Sequence, residues 1–265
     1  MRSVSSARME TLQVARRDGV VTITLDRPSK KNAINGTMWD ELLATFREIS
    51  LAPTTDRVVV LTGSNGEFCS GADLTPSGGP ARHQYHAMKH VGDVALALHK
   101  LPQPTIAKVR GVAVGAGCNM ALGCDLVVAG ETARFSQIFA RRGLSVDFGG
   151  SWLLPRLVGM QRAKELALFA DIIGADEAER IGLVNRVLPD AELDAFVDDW
   201  AQRLAAGPPI ALAMTKRLLN NSFNVTMEEA LDDEGLSQTV NFGTKDTAEA
   251  MMAFIEKRQP NFRGS

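Results

Sequence analysis

Apolar and polar positions first alternate with a period of two. Across residues 12–25, Val21, Ile23 and Leu25 are separated by Thr22 and Thr24, and Asp18-Gly19 is a hairpin signal, so strand, turn and strand are expected. The period then becomes helical: after the polar turn 27–35, Met38, Leu42, Phe46 and Ile49 share one face. Val58-Val59-Val60-Leu61 is an unbroken apolar run, expected as a buried strand that ends in a glycine-containing loop, residues 66–74. The breaker cluster 75–80 is expected to be mobile and to act as a lid. A helix from about Arg82 to Lys100 stops at Pro102-Gln103-Pro104, and strands follow at 105–109, 125–130 and 133–137. This strand and helix alternation predicts an α/β protein whose parallel sheet is covered on both faces. The turn 147–152 leads into a helix to Val158, and from Arg162 onward the pattern reads as almost wholly helical.

Composition narrows the function. A chain of 265 residues with 45% hydrophobic and 23% charged residues is long enough for a sizeable core. A net charge of −2, with 29 basic and 31 acidic residues, gives no reason for a polyanionic partner, so nucleic acid is not expected, and no run is apolar enough to cross a bilayer, so no membrane is expected either. Cys69, Cys118 and Cys124 form an odd set without a CxxC pair, which reads as reduced thiols in a cytoplasmic protein. Residues 1–10 lack the apolar core of an export signal and are expected as a disordered tail. His83, His86 and His90 share a helix face, but no acidic or cysteine ligand lies nearby in sequence; they read as rim or surface residues, and no metal is expected.

Two stretches carry chemistry. In residues 109–122 an apolar strand runs through Gly115-Ala116-Gly117 into an apolar helix, leaving first-turn N–H groups open to an anion or a developing oxyanion. Close packing of helix on strand would use the same small residues. The loop Gly66-Glu67-Phe68-Cys69-Ser70-Gly71-Ala72-Asp73-Leu74 lies at the C-terminal end of a strand, where open α/β folds place ligands.

Taken together, Phe68 through Leu74 and Gly111 through Asn119 resemble the two oxyanion-hole motifs of the crotonase superfamily, the enoyl-CoA hydratase/isomerase family. The resemblance covers nearly the whole chain. It implies a crotonase-like core of β-β-α spiral turns over residues 11–200 and a helical C-terminal trimerisation region over 201–265, in a homotrimer or homohexamer. It also implies an acyl-CoA thioester as substrate, with coenzyme A present only as part of that substrate and no permanent cofactor. The oxyanion-hole amides would be those of Ala72 and Ala116. Lys31, Ala33, Ser70, Asp73 and Leu74 would line the coenzyme and substrate path, and Phe254 and Lys257 of the terminal helix would reach the adenosine phosphate. Read by themselves, Lys31 is a lysine in a turn, and Phe254 and Lys257 an apolar contact and a solvated charge.

Proton transfer needs a further group. Enoyl-CoA hydratases set two glutamates across the substrate double bond. Here the matching positions are Asn119 and Phe139, both expected beside the substrate, and neither exchanges a proton at neutral pH. A carboxylate reappears at Asp147, in a stretch closely similar to that of dienoyl-CoA isomerases and of 1,2-epoxyphenylacetyl-CoA isomerases. One carboxylate in an apolar site, its pKa raised toward the working pH, can take a proton from one carbon and return it to another. Asp147 is also well placed to cap the helix near Gly150, and the two roles are compatible.

The resemblance thus implies an isomerase, with enoyl-CoA hydratase and a non-catalytic acyl-CoA-binding protein as the alternatives. A dinucleotide site is excluded because Met120 stands where GxGxxG needs its third glycine. A serine hydrolase is disfavoured because Ser70 lacks the GxSxG elbow.

Overall fold

The structure, a computed structural model, describes residues 5–75 and 83–265; the expected lid at 76–80 lies outside them. The chain opens with strands β1 (Ser5–Arg8), β2 (Leu12–Arg17) and β3 (Val20–Leu25), helix α1 (Gly36–Ser50) and strand β4 (Val58–Gly63). Helix α2 (Gln84–His99), strands β5 (Thr105–Val109) and β6 (Val112–Val114), helix α3 (Ala116–Leu122) and strands β7 (Leu126–Gly130) and β8 (Arg134–Ser136) follow. Then come α4 (Gly150–Val158), α5 (Met160–Phe169), β9 (Ile173–Gly174), α6 (Ala175–Arg180), β10 (Arg186–Leu188), α7 (Asp190–Ala205), α8 (Pro209–Asn221), α9 (Met227–Phe242) and α10 (Lys245–Glu256).

Among the described residues a large sheet runs in the order β1-β2-β3-β4-β5-β7-β10, antiparallel up to β3 and parallel beyond it. A smaller sheet, β6-β8-β9, forms a second layer. Single bridges extend that layer, with Cys69 paired to Ala113 and Ile34 to Ala72. Each pass of the chain therefore places one strand in the large sheet and a short extended segment in the small layer. Ile34 follows β3, Cys69 to Ala72 follow β4, β6 follows β5 and β8 follows β7. This is the expected spiral of β-β-α turns, and it stacks successive loops on one another.

The large sheet is buried on both faces. In β4, Val59 and Leu61 enter the core that holds Leu42, Phe46 and Ile49 of α1, whereas Val58 and Val60 face Leu193, Val197 and Ala201 of α7. Alternation along a strand sends neighbours to opposite faces, and because both faces are covered the strand reads as a continuous apolar run.

Three expectations change. Ser5–Arg8 pairs with β2 as an antiparallel strand, so the expected tail 1–10 is not wholly a tail. The expected boundary between residues 200 and 201 falls inside α7, whose Ala201 and Ala205 are buried against the sheet; the separate helical region starts at α8. Within the stretch read as helical, β9 and β10 are strands, and β10 closes the edge of the large sheet beside β7. Pairing partners specify strands of two and three residues, which are too short to show a period of their own.

Helices α8 to α10 bury few side chains of their own. Leu219, Phe223, Leu236, Phe242 and Ile255 are all at least 66% exposed, an apolar surface that one copy of the chain does not cover.

Packing is tight where α3 meets the loop after β4. A Cβ on Gly117 would lie 2.6 Å from the Cys69 carbonyl oxygen and 2.7 Å from its Sγ. Gly117→Ala is expected to destabilise the protein by about 1–3 kcal/mol, read as a lower urea midpoint with an unchanged m-value.

Candidate active site

The loop after β4 is held from both sides. Backbone bonds link Phe68 N–H to Arg110 O and Cys69 N–H to Val112 O at 2.8 Å, and Val114 N–H to Cys69 O at 3.0 Å. Glu67 accepts from Val112 N–H at 2.7 Å and pairs with Lys31 at 2.8 Å. On the other side Ile34 N–H donates to Gly71 O, and Asp73 N–H to Ile34 O, both at 2.8 Å. Those bonds use the groups flanking Ala72 and leave the Ala72 N–H turned the other way. It has no acceptor among the described residues, nor has the N–H of Ala116, the first residue of α3.

Gly71 and Gly115 bring these two amides to the same place. Gly71 has φ +98°, and a Cβ there would sit 2.9 Å from Val114 O and 3.9 Å from Ala116 N. Gly115, with φ +56°, ends β6 and turns the chain into α3. Both backbones occupy the region that glycine tolerates at little cost.

Ala72 and Ala116 line a cavity of about 260 Å³. By chain segment, Ala33, Ser70, Asp73 and Leu74 make one part of its wall, and Ile138, Phe139, Arg142, Leu144 and Asp147 another. Burial raises the Asp147 carboxyl from the ordinary aspartate value to about 6, and its buried Oδ1 has no partner among the described residues. Larger hollows, of about 850 and 460 Å³, lie between α8 and Trp152 on the uncovered C-terminal side, where Lys216 is already paired with Asp125 at 2.7 Å. The small cavity is the one that combines free amides with an unpartnered carboxylate.

The chain resembles known proteins over nearly its whole length. Residues 15–265 match the model of the enoyl-CoA hydratase/isomerase family. The chain belongs to that family. It is 40% identical to the "Probable enoyl-CoA hydratase" of Rhodobacter capsulatus over 93% of its own length and 95% of that protein. It is 35% identical to the 1,2-epoxyphenylacetyl-CoA isomerase of Escherichia coli over 93% and 95%. An enoyl-CoA hydratase structure from Bacillus anthracis, 32% identical, aligns over 99% of both chains with a TM-score of 0.89. The protein is therefore an acyl-CoA enzyme of the enoyl-CoA hydratase/isomerase family, with the crotonase fold.

Within this family member the expected site residues divide. Ala33, Ser70, Ala72, Asp73, Leu74, Ala116, Phe139 and Asp147 share the cavity. The Ser70 hydroxyl is already used, donating to Lys30 O at 3.0 Å. Asp73 is bound by the Thr75 hydroxyl and amide and then by Arg27 at 3.0 Å, which hold its carboxyl down at about 2. Lys31 stands outside the cavity wall, paired with Glu67.

Asn119 is a correction. It is fully buried and absent from the wall; its Nδ2 donates to the Asp147 backbone oxygen and its Oδ1 accepts from Gln137 Nε2, both at 2.8 Å. Its bonds hold the loop that carries the carboxylate. Phe254 and Lys257 also lie away from the cavity: Phe254 is 85% exposed, because α10 packs on α9 and not on the spiral core. The capping role considered for Asp147 is not present either. Gly149 is the N-cap of α4, without a side-chain cap, and Asp147 contributes only its carbonyl, which accepts from Gly150 N–H at 2.9 Å.

The sequence reading missed Ile138, Arg142 and Leu144 in the wall, Glu67 as a tether, and the Trp39–Phe148 stack at 5.6 Å that anchors the residue after Asp147. A pair of consecutive arginines, Arg141 and Arg142, both exposed, gives no sign of which one lines the cavity. The buried thiols are inert, since burial pushes Cys69 and Cys118 up to about 12. No group able to hold a metal occurs among the described residues, and His83 serves as the N-cap of α2.

Burial favours the protonated form of Asp147, so the stability it contributes is present below the unfolded value of 3.8 and lost as pH rises through about 6. Asp147→Asn, a neutral analogue, is expected to be more stable than wild type at pH 8 by on the order of 1–2 kcal/mol. The gap should close toward pH 4 in urea unfolding of the two proteins.

Proposed function

We propose that this enzyme isomerises its acyl-CoA substrate, shifting a proton between carbons with Asp147 as the single carrier while the Ala72 and Ala116 amides hold the charge on the thioester oxygen. Removing an α-proton from a thioester places negative charge on that oxygen, and two convergent N–H groups without internal acceptors suit it. Coulombic help from the macrodipole of α3 is small, because the helix has seven residues. The two amides themselves provide the stabilisation.

The observation that carries the reading is the unpartnered, burial-raised carboxyl of Asp147 in the cavity wall. A carboxyl near 6 can accept a proton at neutral pH and return it, which a normal aspartate does poorly. Hydration is the competing reading, and relatives named as enoyl-CoA hydratases, among them the Rhodobacter capsulatus protein, favour it. Against hydration, Phe139 and the locked amide of Asn119 stand at the positions where the resemblance places the two hydratase glutamates.

Lys31, Ala33 and the first wall are assigned to the coenzyme end, in a cytoplasmic enzyme. The uncovered apolar side of α8 to α10 is assigned to association of copies into a trimer or hexamer, which would also offer Phe254 and Lys257 a neighbouring site to serve. Light scattering at micromolar concentration should then give three or six times the 28.6 kDa chain mass; a monomer contradicts the assignment.

Turnover is to be followed on 2-enoyl-, 3-enoyl-, dienoyl- and arylacetyl-CoA thioesters by mass spectrometry and proton NMR, with isomerisation expected to exceed hydration. On the best substrate kcat/KM should rise with pH through about 6, since the base must be ionised. Asp147→Asn should abolish that limb and cut kcat by roughly 100-fold or more with little change in affinity. Near-normal turnover of Asp147→Asn, or fast hydration of a simple 2-enoyl-CoA as the main activity, would reject the single-carboxylate mechanism.

A further inference from the structure

The polar groups around the cavity are nearly all satisfied within the chain. Lys31 is paired with Glu67 at 2.8 Å, and Arg27 with Asp73 at 3.0 Å and with the Ala33 carbonyl. Arg141 is paired with Asp171. Arg142, the one cation among the lining residues, has neither an ion pair nor a hydrogen bond from its side chain among the described residues. Its neighbours in the same wall, Ile138, Phe139 and Leu144, offer it no acceptor.

Position narrows what Arg142 can meet. Arg142 is an exposed side chain of the segment that carries Asp147, five residues along, and not of the segments of Ala33, Ser70 and Asp73 assigned to the coenzyme. Arg142 and Asp147 line one cavity, so an acyl chain bound there has Arg142 among the groups that its far end can meet. A guanidinium presents a planar fork of donors that matches a carboxylate with two parallel hydrogen bonds.

We propose that Arg142 receives an anionic oxygen group of the substrate, the carboxylate at the far end of the acyl chain, so that the enzyme prefers acyl-CoA thioesters ending in a carboxylate over those ending in a methyl group. This rests on the reading of the cavity as an acyl-CoA site. It does not depend on whether the reaction is isomerisation or hydration. A phosphate of the coenzyme is the other source of the same chemistry, and the test separates the two.

Saturated thioesters bind without reacting. Calorimetry on the intact protein compares hexanoyl-CoA with adipyl-CoA, equal in length and ending in methyl and carboxylate, for wild type, Arg142→Gln and Arg142→Lys. Wild type is expected to bind the carboxylate-ended thioester about 10-fold more tightly or better, a preference that weakens with added salt. Arg142→Gln should bring the ratio close to one, and Arg142→Lys should keep part of it. The ratio is unaffected by partial loss of folded protein, and the wild-type comparison stands without any variant. Equal affinities in wild type, or a preference that survives in Arg142→Gln, overturn the assignment. An equal loss for both thioesters in Arg142→Gln that disappears with the matching pantetheine thioesters would place a coenzyme phosphate on Arg142 and overturn it as well. Failure of wild type to bind either thioester would overturn the acyl-CoA reading and this assignment with it.

Discussion

The close approach of the loop after β4 to the start of α3 is the contact on which the site depends. No side chain fits between Gly71 and Val114 O or between Gly117 and Cys69. Backbone therefore lies against backbone, and the Ala72 and Ala116 amides come to share one cavity. Preorganised donors help only if they are already in place when charge develops, and it is packing that keeps them there. The bonds from Arg110, Val112 and Cys69, with the Glu67 carboxylate on Val112 N–H, form the rigid side of that arrangement.

The opposite wall is organised around a different requirement. A proton carrier working near neutral pH has to be dry enough to shift and loose enough to reach substrate. Asp147 has an unpartnered carboxyl and a held backbone. Asn119 and Gly150 N–H bind its carbonyl, Gln137 fixes Asn119, and the stack of Phe148 on Trp39 fixes the next residue. Gly150 leaves room for this, since a Cβ there would fall 2.4 Å from Asn119 Nδ2. The position that resembles a catalytic glutamate thus holds an amide that supports the carboxylate through its main chain. In the proposed mechanism the proton carrier lies in the loop before α4 and not on α3.

The helical C-terminal region follows a third constraint. Arg57 donates to Ala205 O at 3.0 Å and Phe262 O at 2.9 Å, and Asp246 accepts from the amides of Arg263 and Gly264. These bonds tie the chain end to the body at polar points while the apolar faces of α8 to α10 stay open. Polar anchoring with an uncovered apolar face suits helices that are positioned by their own chain and buried by another copy.

By itself the sequence determined whatever depends on local period and on small residues. The hairpin of β2 and β3, the apolar stripe of α1, the doubly buried β4, the two glycine loops and the candidate carboxylate were all legible, because each leaves its mark within a few neighbouring residues. Tertiary structure alone decided what depends on meeting a distant partner. Residues 5–8 became a strand by pairing with β2, and β10 became one by closing the sheet on β7. Asn119 turned toward the Asp147 carbonyl, and Arg142, unlike Arg141 beside it, lines the cavity without a partner among the described residues. A side chain's direction is set by the elements that pack around it, and those elements come from the far ends of the chain.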